Sequence, residues 1–190
     1  MRIIAGEAKG RTLFAPPGDQ TRPTSDKTRG SLFNILLPHI RDARVLDLFG
    51  GTGALALEAL SRGASFAAIA DISGQAIRVI ERNAENVLKD EMPVRVKILK
   101  ADYRTAISLL SAPPYDLVFL DPPYRMIDAY ADALTRLHGA GMLSEAVIIV
   151  SERLKEADVP FPDEFEKYDT RVYRDTAVDF LRYRRSGAER

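Results

Sequence analysis

Cysteine is absent from this sequence of 190 residues. That absence excludes disulfides, thiolate zinc sites and any cysteine nucleophile. Histidine occurs only as His39 and His138, too few for most histidine-based metal centres, so both read as surface or helix-end residues and no metal is expected. Long hydrophobic runs are missing too, none approaching the ~20 residues of a membrane span. The opening "MRIIAGEAKGRTL" lacks the apolar block of a secretory leader. A soluble cytoplasmic protein is the expectation. No Gly-Lys-Ser/Thr triplet occurs, which excludes a nucleoside-triphosphate loop. Net charge is also lacking, with 27 basic and 27 acidic residues, but the balance is local. Residues 1–41 carry seven basic groups against three acids, and residues 171–190 carry six against three. Such polarity can present a cationic face without a high overall pI.

What is present suits one globular domain, with 46% apolar and 28% charged residues. From Arg44 onward, short apolar runs alternate with helix-length amphipathic stretches. "RVLDLF" (44–49), "FAAIAD" (66–71), "VRVKILKAD" (94–102), "YDLVFLD" (115–121) and "AVIIVSE" (146–152) read as strands. Helices are expected over 54–62, 73–89, 103–111 and 126–140. This alternation predicts an α/β, Rossmann-like fold: a mostly parallel sheet with helices on both faces. The ending, "EFEKYDTRVYRDTAVDFLRYRR", holds two β-rich runs with only a short connection, which predicts an antiparallel C-terminal pair at the sheet edge. Ahead of the core, "RIIAG…GRTLFAP" reads as a small β-hairpin turning at Gly6 and Gly10, followed by a loop and a helix from about Lys27 to Leu37. The boundaries drawn are therefore an N-terminal extension, 1–41, and a core domain, 42–190.

Two motifs carry chemistry. The first is "VLDLFGGTGALALEAL", where Gly51-x-Gly53-x-x-Ala56 joins the first strand to its helix. Small residues there let the backbone approach a ligand, and the helix N-terminus offers free N–H groups. Asp71, ending the second strand, suits a ribose diol. Dinucleotides and S-adenosylmethionine are both candidates on this loop. Asp47 inside the turn would repel a pyrophosphate but suits an ammonium group, and Asp102 ends the third strand where it can accept from an adenine amine. Phe49, Gly50, Ile72 and Tyr103 complete the candidate cofactor set.

The second motif, Asp121-Pro122-Pro123-Tyr124, follows the fourth strand. Proline has no N–H, so the Asp121 and Pro122 carbonyls escape a following ladder, and the fixed φ angles stiffen the corner. A carboxylate, a carbonyl and an aromatic face then stand together. That cluster suits an exocyclic amine on a planar base, whose delocalised lone pair must be oriented toward an electrophile. Asp121 is also placed to accept the released proton.

Together with "RIIAG…KGRTL" and "TRPTSDKTRGSLFNIL", the motifs "LDLFGGTGALALEALSRGA" and "FLDPPY" resemble the bacterial 16S ribosomal RNA guanine-N2 methyltransferases. The resemblance covers nearly the whole chain. It implies a class I methyltransferase fold, S-adenosylmethionine as donor, and N2 methylation of one guanine in small-subunit rRNA. By position, Asp47, Gly51 and Gly53 match the family's cofactor loop, Asp71 its ribose acid, Asp102 its adenine contact, and Asp121 to Tyr124 its catalytic motif. Arg22, Thr24 and Arg29 match the loop and helix flanking the site. Two departures stand out: Asp71 replaces the usual glutamate, and Gly30 stands where a glutamate normally follows the arginine.

On this reading Arg2, Lys9, Arg11, Arg22, Thr24, Lys27, Arg29 and Arg125 are the candidate contacts to 16S rRNA, presented within a small-subunit or assembly particle. The rival readings are a DNA adenine-N6 or protein-glutamine methyltransferase, and a non-catalytic RNA-binding protein with a relic site. A monomer is expected, since no interface stripe is visible.

Overall fold

The computed structural model describes residues 1–15, 26–110 and 113–184. Among the described residues seven strands form one sheet: β1 (Arg44–Asp47), β2 (Phe66–Asp71), β3 (Val96–Lys100), β4 (Tyr115–Leu120), β5 (Leu143–Leu154), β6 (Phe165–Tyr173) and β7 (Thr176–Tyr183). Their order is β3-β2-β1-β4-β5-β7-β6. The first five are parallel, while β7 runs antiparallel to both β5 and β6. The α-helices among the described residues are α1 (Asp26–Leu36), α2 (Ala54–Ser61), α3 (Gly74–Leu88), α4 (Met92–Arg95), α5 (Tyr103–Leu109) and α6 (Asp128–Gly139). The expected Rossmann-like α/β class is the observed one.

The two faces of the sheet follow from the two-residue period of a strand. Val45, Ala67, Ile69, Leu117 and Phe119 point into one core, shared with α1, α2 and α3. Leu46, Ala68, Ala70, Val118 and Leu120 point into the other, under α5 and α6. Because both faces are covered, the inner strands are apolar throughout rather than alternating. Ile3, Ala8 and Leu13 of the N-terminal segment, with Leu32, Phe33, Leu36 and Ile40, pack into the first of these cores. Phe33 meets Phe119 at 6.1 Å between ring centroids.

Several boundaries differ from expectation. The third strand begins at Val96, because Met92–Arg95 winds into a helical turn with Pro93 in its first turn, where its missing N–H leaves no gap. The fifth strand is longer at both ends than 146–152. Helix α6 starts at Asp128, after a turn closed by Met126 N–H to the Pro123 carbonyl at 2.7 Å. The antiparallel C-terminal pair is present, but it is β7, the later strand, that lies against β5. Polarity explains the order: β7 is buried over Ala177–Leu181, whereas β6 is largely exposed and charged, and an edge suits a charged strand.

The N-terminal hairpin is minimal: one antiparallel bridge, Arg2 with Thr12, flanked by Ile3 N–H to the Arg11 carbonyl and Leu13 N–H to the Met1 carbonyl, both 2.9 Å. It is fastened to α2 by two buried side chains. Glu58 accepts from Ile4 N–H (2.8 Å) and Ala5 N–H (3.0 Å), and Ser61 Oγ accepts from Ala8 N–H (3.0 Å) and donates to the Ala5 carbonyl (2.7 Å).

Candidate active site

Strand order reverses between β1 and β4, and the crevice at the carboxyl ends of the strands there is where open α/β sheets hold ligands. The glycine loop after β1 and the Asp121 corner after β4 both open into it. Gly53 caps α2 with φ +76°, a left-handed conformation that favours glycine. At Gly50 the constraint is space, since an added Cβ would lie 2.5 Å from Ile69 Cγ2. The loop's shape is held by Gly50 N–H to the Ala70 carbonyl at 2.8 Å. Asp71 reaches back across it, accepting from Gly51 N–H (2.9 Å) and Ser73 N–H (2.8 Å). Beside Asp71, Ile72 is 73% exposed, an apolar surface on which a planar ring can rest.

Asp47 ends β1 buried, accepting from Phe49 N–H at 3.2 Å. Burial pushes its carboxyl up to about 7, opposed by the Phe49 amide and reinforced by the negative charge of Asp71. Among the described residues no basic side chain pairs with it. A buried acid with this deficit suits a cationic ligand group, so the donor set fits the α-ammonium of S-adenosylmethionine. Phe49 and Tyr103 form an adjoining aromatic wall, 5.5 Å between centroids. The Tyr103 hydroxyl donates to Asp132 (2.7 Å), and burial, then that bond, raises its pKa to about 12. Asp102 caps α5, accepting from Arg104 N–H (3.0 Å), Thr105 N–H (3.2 Å) and the Thr105 hydroxyl (2.7 Å). The hydroxyl bond leads the causes that hold it below the ordinary carboxylate range, so Asp102 is ionised and keeps lone pairs for an amine.

Asp121 opens onto the crevice, while its carboxyl is enclosed by protein on its other sides. That loss of solvent, then the charges of Glu152 and Asp47, hold it well above the ordinary range. Pro122 is buried, whereas Pro123, Tyr124 and Arg125 face solvent. The sequence reading assigned no part to Glu152, although it stands two positions before the end of β5, beside Asp121 in the register that pairs Leu120 with Ser151.

The candidate RNA contacts divide. Lys27, Arg2 and Arg125 are exposed, with Arg2 at 3.7 Å from Asp26 at the start of α1. Arg29 is not available: it is 1% exposed, donates to Asp26 Oδ1 (3.1 Å) and the Arg2 carbonyl, and faces Glu58 at 3.8 Å. Its place is inside the hairpin–helix junction, a correction to its reading as a phosphate contact. Lys9 lies on the hairpin turn next to Ser61, at the end of α2 roughly 12 Å of helix away from the glycine loop. Arg11 donates to the Asn86 and Val87 carbonyls near the end of α3 (2.5 and 3.2 Å). The structure therefore does not bring Lys9 and Arg11 together with Asp121. Arg22 and Thr24 lie outside the described residues.

Asn83 was missed. Fully buried on α3, it donates to the Thr52 carbonyl of the glycine loop (2.8 Å) and the Phe14 carbonyl (3.0 Å), and accepts from Phe14 N–H (2.7 Å). One amide thus ties the cofactor loop to the N-terminal segment. Its signal was available: an asparagine on the stripe Ala76, Ile77, Ile80, Ala84, Val87. Asn83→Ala should lower stability by on the order of 2–4 kcal/mol, because it strands buried donors and acceptors. It should also weaken cofactor binding, measured by denaturant unfolding and calorimetric titration.

Comparison with known proteins places this geometry. A family profile described as "Conserved hypothetical protein 95" matches residues 1–182. A Bacillus subtilis (strain 168) protein provisionally named rRNA methyltransferase YlbH is 36% identical over 162 residues, covering 84% of this chain and 86% of that protein. "Ribosomal RNA small subunit methyltransferase D" of Escherichia coli (strain K12) is 34% identical over 162 residues, covering 84% and 78%. A solved Escherichia coli structure, provisionally named methyltransferase yhhF, superposes with TM-score 0.81 at 31% identity, covering 96% of this chain and 97% of that one. The chain belongs to the family described as conserved hypothetical protein 95, the bacterial small-subunit ribosomal RNA methyltransferases that its motifs resemble.

Proposed function

We propose that the protein transfers a methyl group from S-adenosylmethionine to the exocyclic N2 of a specific guanine in 16S rRNA. The observation that carries this reading is the convergence of two elements on one crevice: the Asp121 corner after β4, and the glycine loop with its buried Asp47 after β1. Asp47, Gly51 and Asp71 would hold the cofactor, with Phe49, Ile72, Asp102 and Tyr103 around its rings. The cofactor supplies an electrophilic methyl on a sulfonium. Asp121 and the Pro122 carbonyl accept from the two hydrogens of the guanine amine, turning its lone pair toward that carbon. Tyr124 stacks on the base. As the amine nitrogen gains the methyl carbon that the sulfonium would give up, Asp121 would take the surplus proton.

The residues fit a base presented singly in the crevice, so the guanine leaves its stack first, costing a few kcal/mol. Residues 1–41 act as the RNA-contacting part in this reading and 42–190 as the catalytic part. The protein works as a cytoplasmic monomer on an assembling particle. Among the described residues no helix is long and apolar enough to cross a membrane.

Tritium transfer from labelled S-adenosylmethionine tests the reading on small-subunit particles, protein-free 16S rRNA, DNA and glutamine-bearing protein. Nucleoside analysis of the product is expected to give N2-methylguanosine from rRNA and nothing from the other substrates. Label on adenine N6 or on glutamine would replace the reading with one of its rivals.

A further inference from the structure

We propose that the β6–β7 turn, led by Arg174, is a second RNA-holding wall of the crevice, gripping backbone phosphate together with Lys27. The inference rests on the RNA-methylation reading above and deepens it.

The topology sets the turn on the crevice edge. Strand β7 begins opposite the last residue of β5, Thr176 against Leu154, and Lys155 N–H donates to the Asp175 carbonyl at 2.9 Å. Since Leu120 pairs with Ser151, the turn stands roughly 7–10 Å above the level of Asp121 and about 10 Å to its side, two strands away. A phosphate one nucleotide from an extruded base falls in that range. Lys9 and Arg11 occupy the opposite end of the sheet and leave this side of the crevice to other cations.

The turn is braced. Arg153 donates to buried Asp179 (2.6 Å), and its Nη1 donates to the Leu154, Lys155 and Ala157 carbonyls (3.2, 3.0 and 2.9 Å), fixing the exit of β5. Thr170 Oγ1 adds a bond to Asp179 at 2.6 Å. On the other flank, the Tyr173 and Ser31 hydroxyls meet at 3.0 Å, docking the turn on α1. Lys27 lies one helical turn before Ser31 on the same face of α1. Arg174 and Lys27 therefore flank one docked contact.

Charge distribution singles out these two. Arg171 is taken by Asp169 (2.8 Å) and Lys155 by Glu156 (3.3 Å). Asp175 is the acid within the turn. Arg174 and Lys27 are exposed, and neither has an ion-pair partner among the described residues. Arg174 also sits at φ +57°, a left-handed position where a non-glycine residue costs about 1–2 kcal/mol. Glycine would fit that backbone freely, so the strain is tolerated for the side chain.

The experiment uses the full-length protein, small-subunit particles and two variants. Arg174→Gly removes the charge while relieving the backbone, and Arg174→Glu reverses the charge. The expected result is a KM for the particle raised about tenfold in Arg174→Glu and less in Arg174→Gly. The salt dependence of binding should shrink by about one unit of log–log slope. The maximal rate and the Kd for S-adenosylmethionine should hold in both, while the melting temperature should hold in Arg174→Glu and not fall in Arg174→Gly. Unchanged KM and salt slope in both variants would overturn the inference while leaving the methylation reading intact. A wild-type protein that labels no RNA would instead remove the reading and this inference with it.

Discussion

Asp121→Ala loses methyl transfer by about 10³-fold in kcat, with the Kd for S-adenosylmethionine changed by no more than about twofold. In the proposed reading Asp121, just past the end of β4, serves the acceptor side of the crevice, whereas the cofactor's expected contacts are with the β1 and β2 loops. Single-turnover methylation and calorimetry separate the two quantities. Asp121→Asn keeps a carbonyl acceptor but cannot take the proton, so its loss is smaller, about 10–100-fold. The pH profile gives an independent readout. In the proposed reading deprotonated Asp121 is the working form, and loss of solvent with Glu152 and Asp47 nearby raises its pKa. Activity of the free enzyme therefore rises with pH through a limb above the ordinary carboxylate range. Glu152→Gln removes one of those negative charges and shifts the limb to lower pH. Retention of wild-type turnover in Asp121→Ala would take the residue out of the mechanism.

Glu58→Ala is the second large effect, and it acts on stability. Glu58 is buried, accepts from the Ile4 and Ala5 amides, binds Arg62 Nε at 2.7 Å and faces Arg29 at 3.8 Å. Removing it strands two amides, takes away the ion-pair partner of Arg62 and leaves buried Arg29 with Asp26 alone as counter-charge. The expected loss is about 3–5 kcal/mol, with a melting temperature lower by on the order of 10 °C. Glu58→Gln keeps acceptor capacity but not the charge, and should fall between the two proteins. Thermal melts of all three decide the order; equal melting temperatures would show that the junction carries no such weight.

The parallel core was legible because each inner strand is an apolar run closed by glycine, an acid or proline, and both faces of such strands must be covered. The crevice was legible for the same reason: Asp47, Asp71 and Asp121 are the polar residues that stop those runs. What escaped was polarity inside helices. Arg29 occupies the stripe continued by Leu32, Phe33 and Leu36, so its spacing already marked it as inward-facing, but a run of basic residues drew it into the surface reading. Glu58 lies in "ALALEALS", a helix apolar on nearly all sides, and Asn83 breaks the apolar stripe of α3. A lone polar side chain at a core position has to find partners, and in all three cases at least one partner belongs to the first 15 residues. Sequence spacing shows that partners are required without saying which. The order of β6 and β7 was likewise undetermined by pairing alone, and became readable only when their polarities were compared.

The placement of β7 has a consequence for biosynthesis. The strand that joins β5 to β6, and sends Phe180 into one core and Leu181 into the other, is the last of the seven to leave the ribosome. Until Tyr183 is clear, β5 exposes an open edge and the turn carrying Arg174 does not exist. A chain stopped within β7 therefore keeps the apolar edge of β5 open to a foreign strand, and is an aggregation-prone remnant instead of a weakened enzyme.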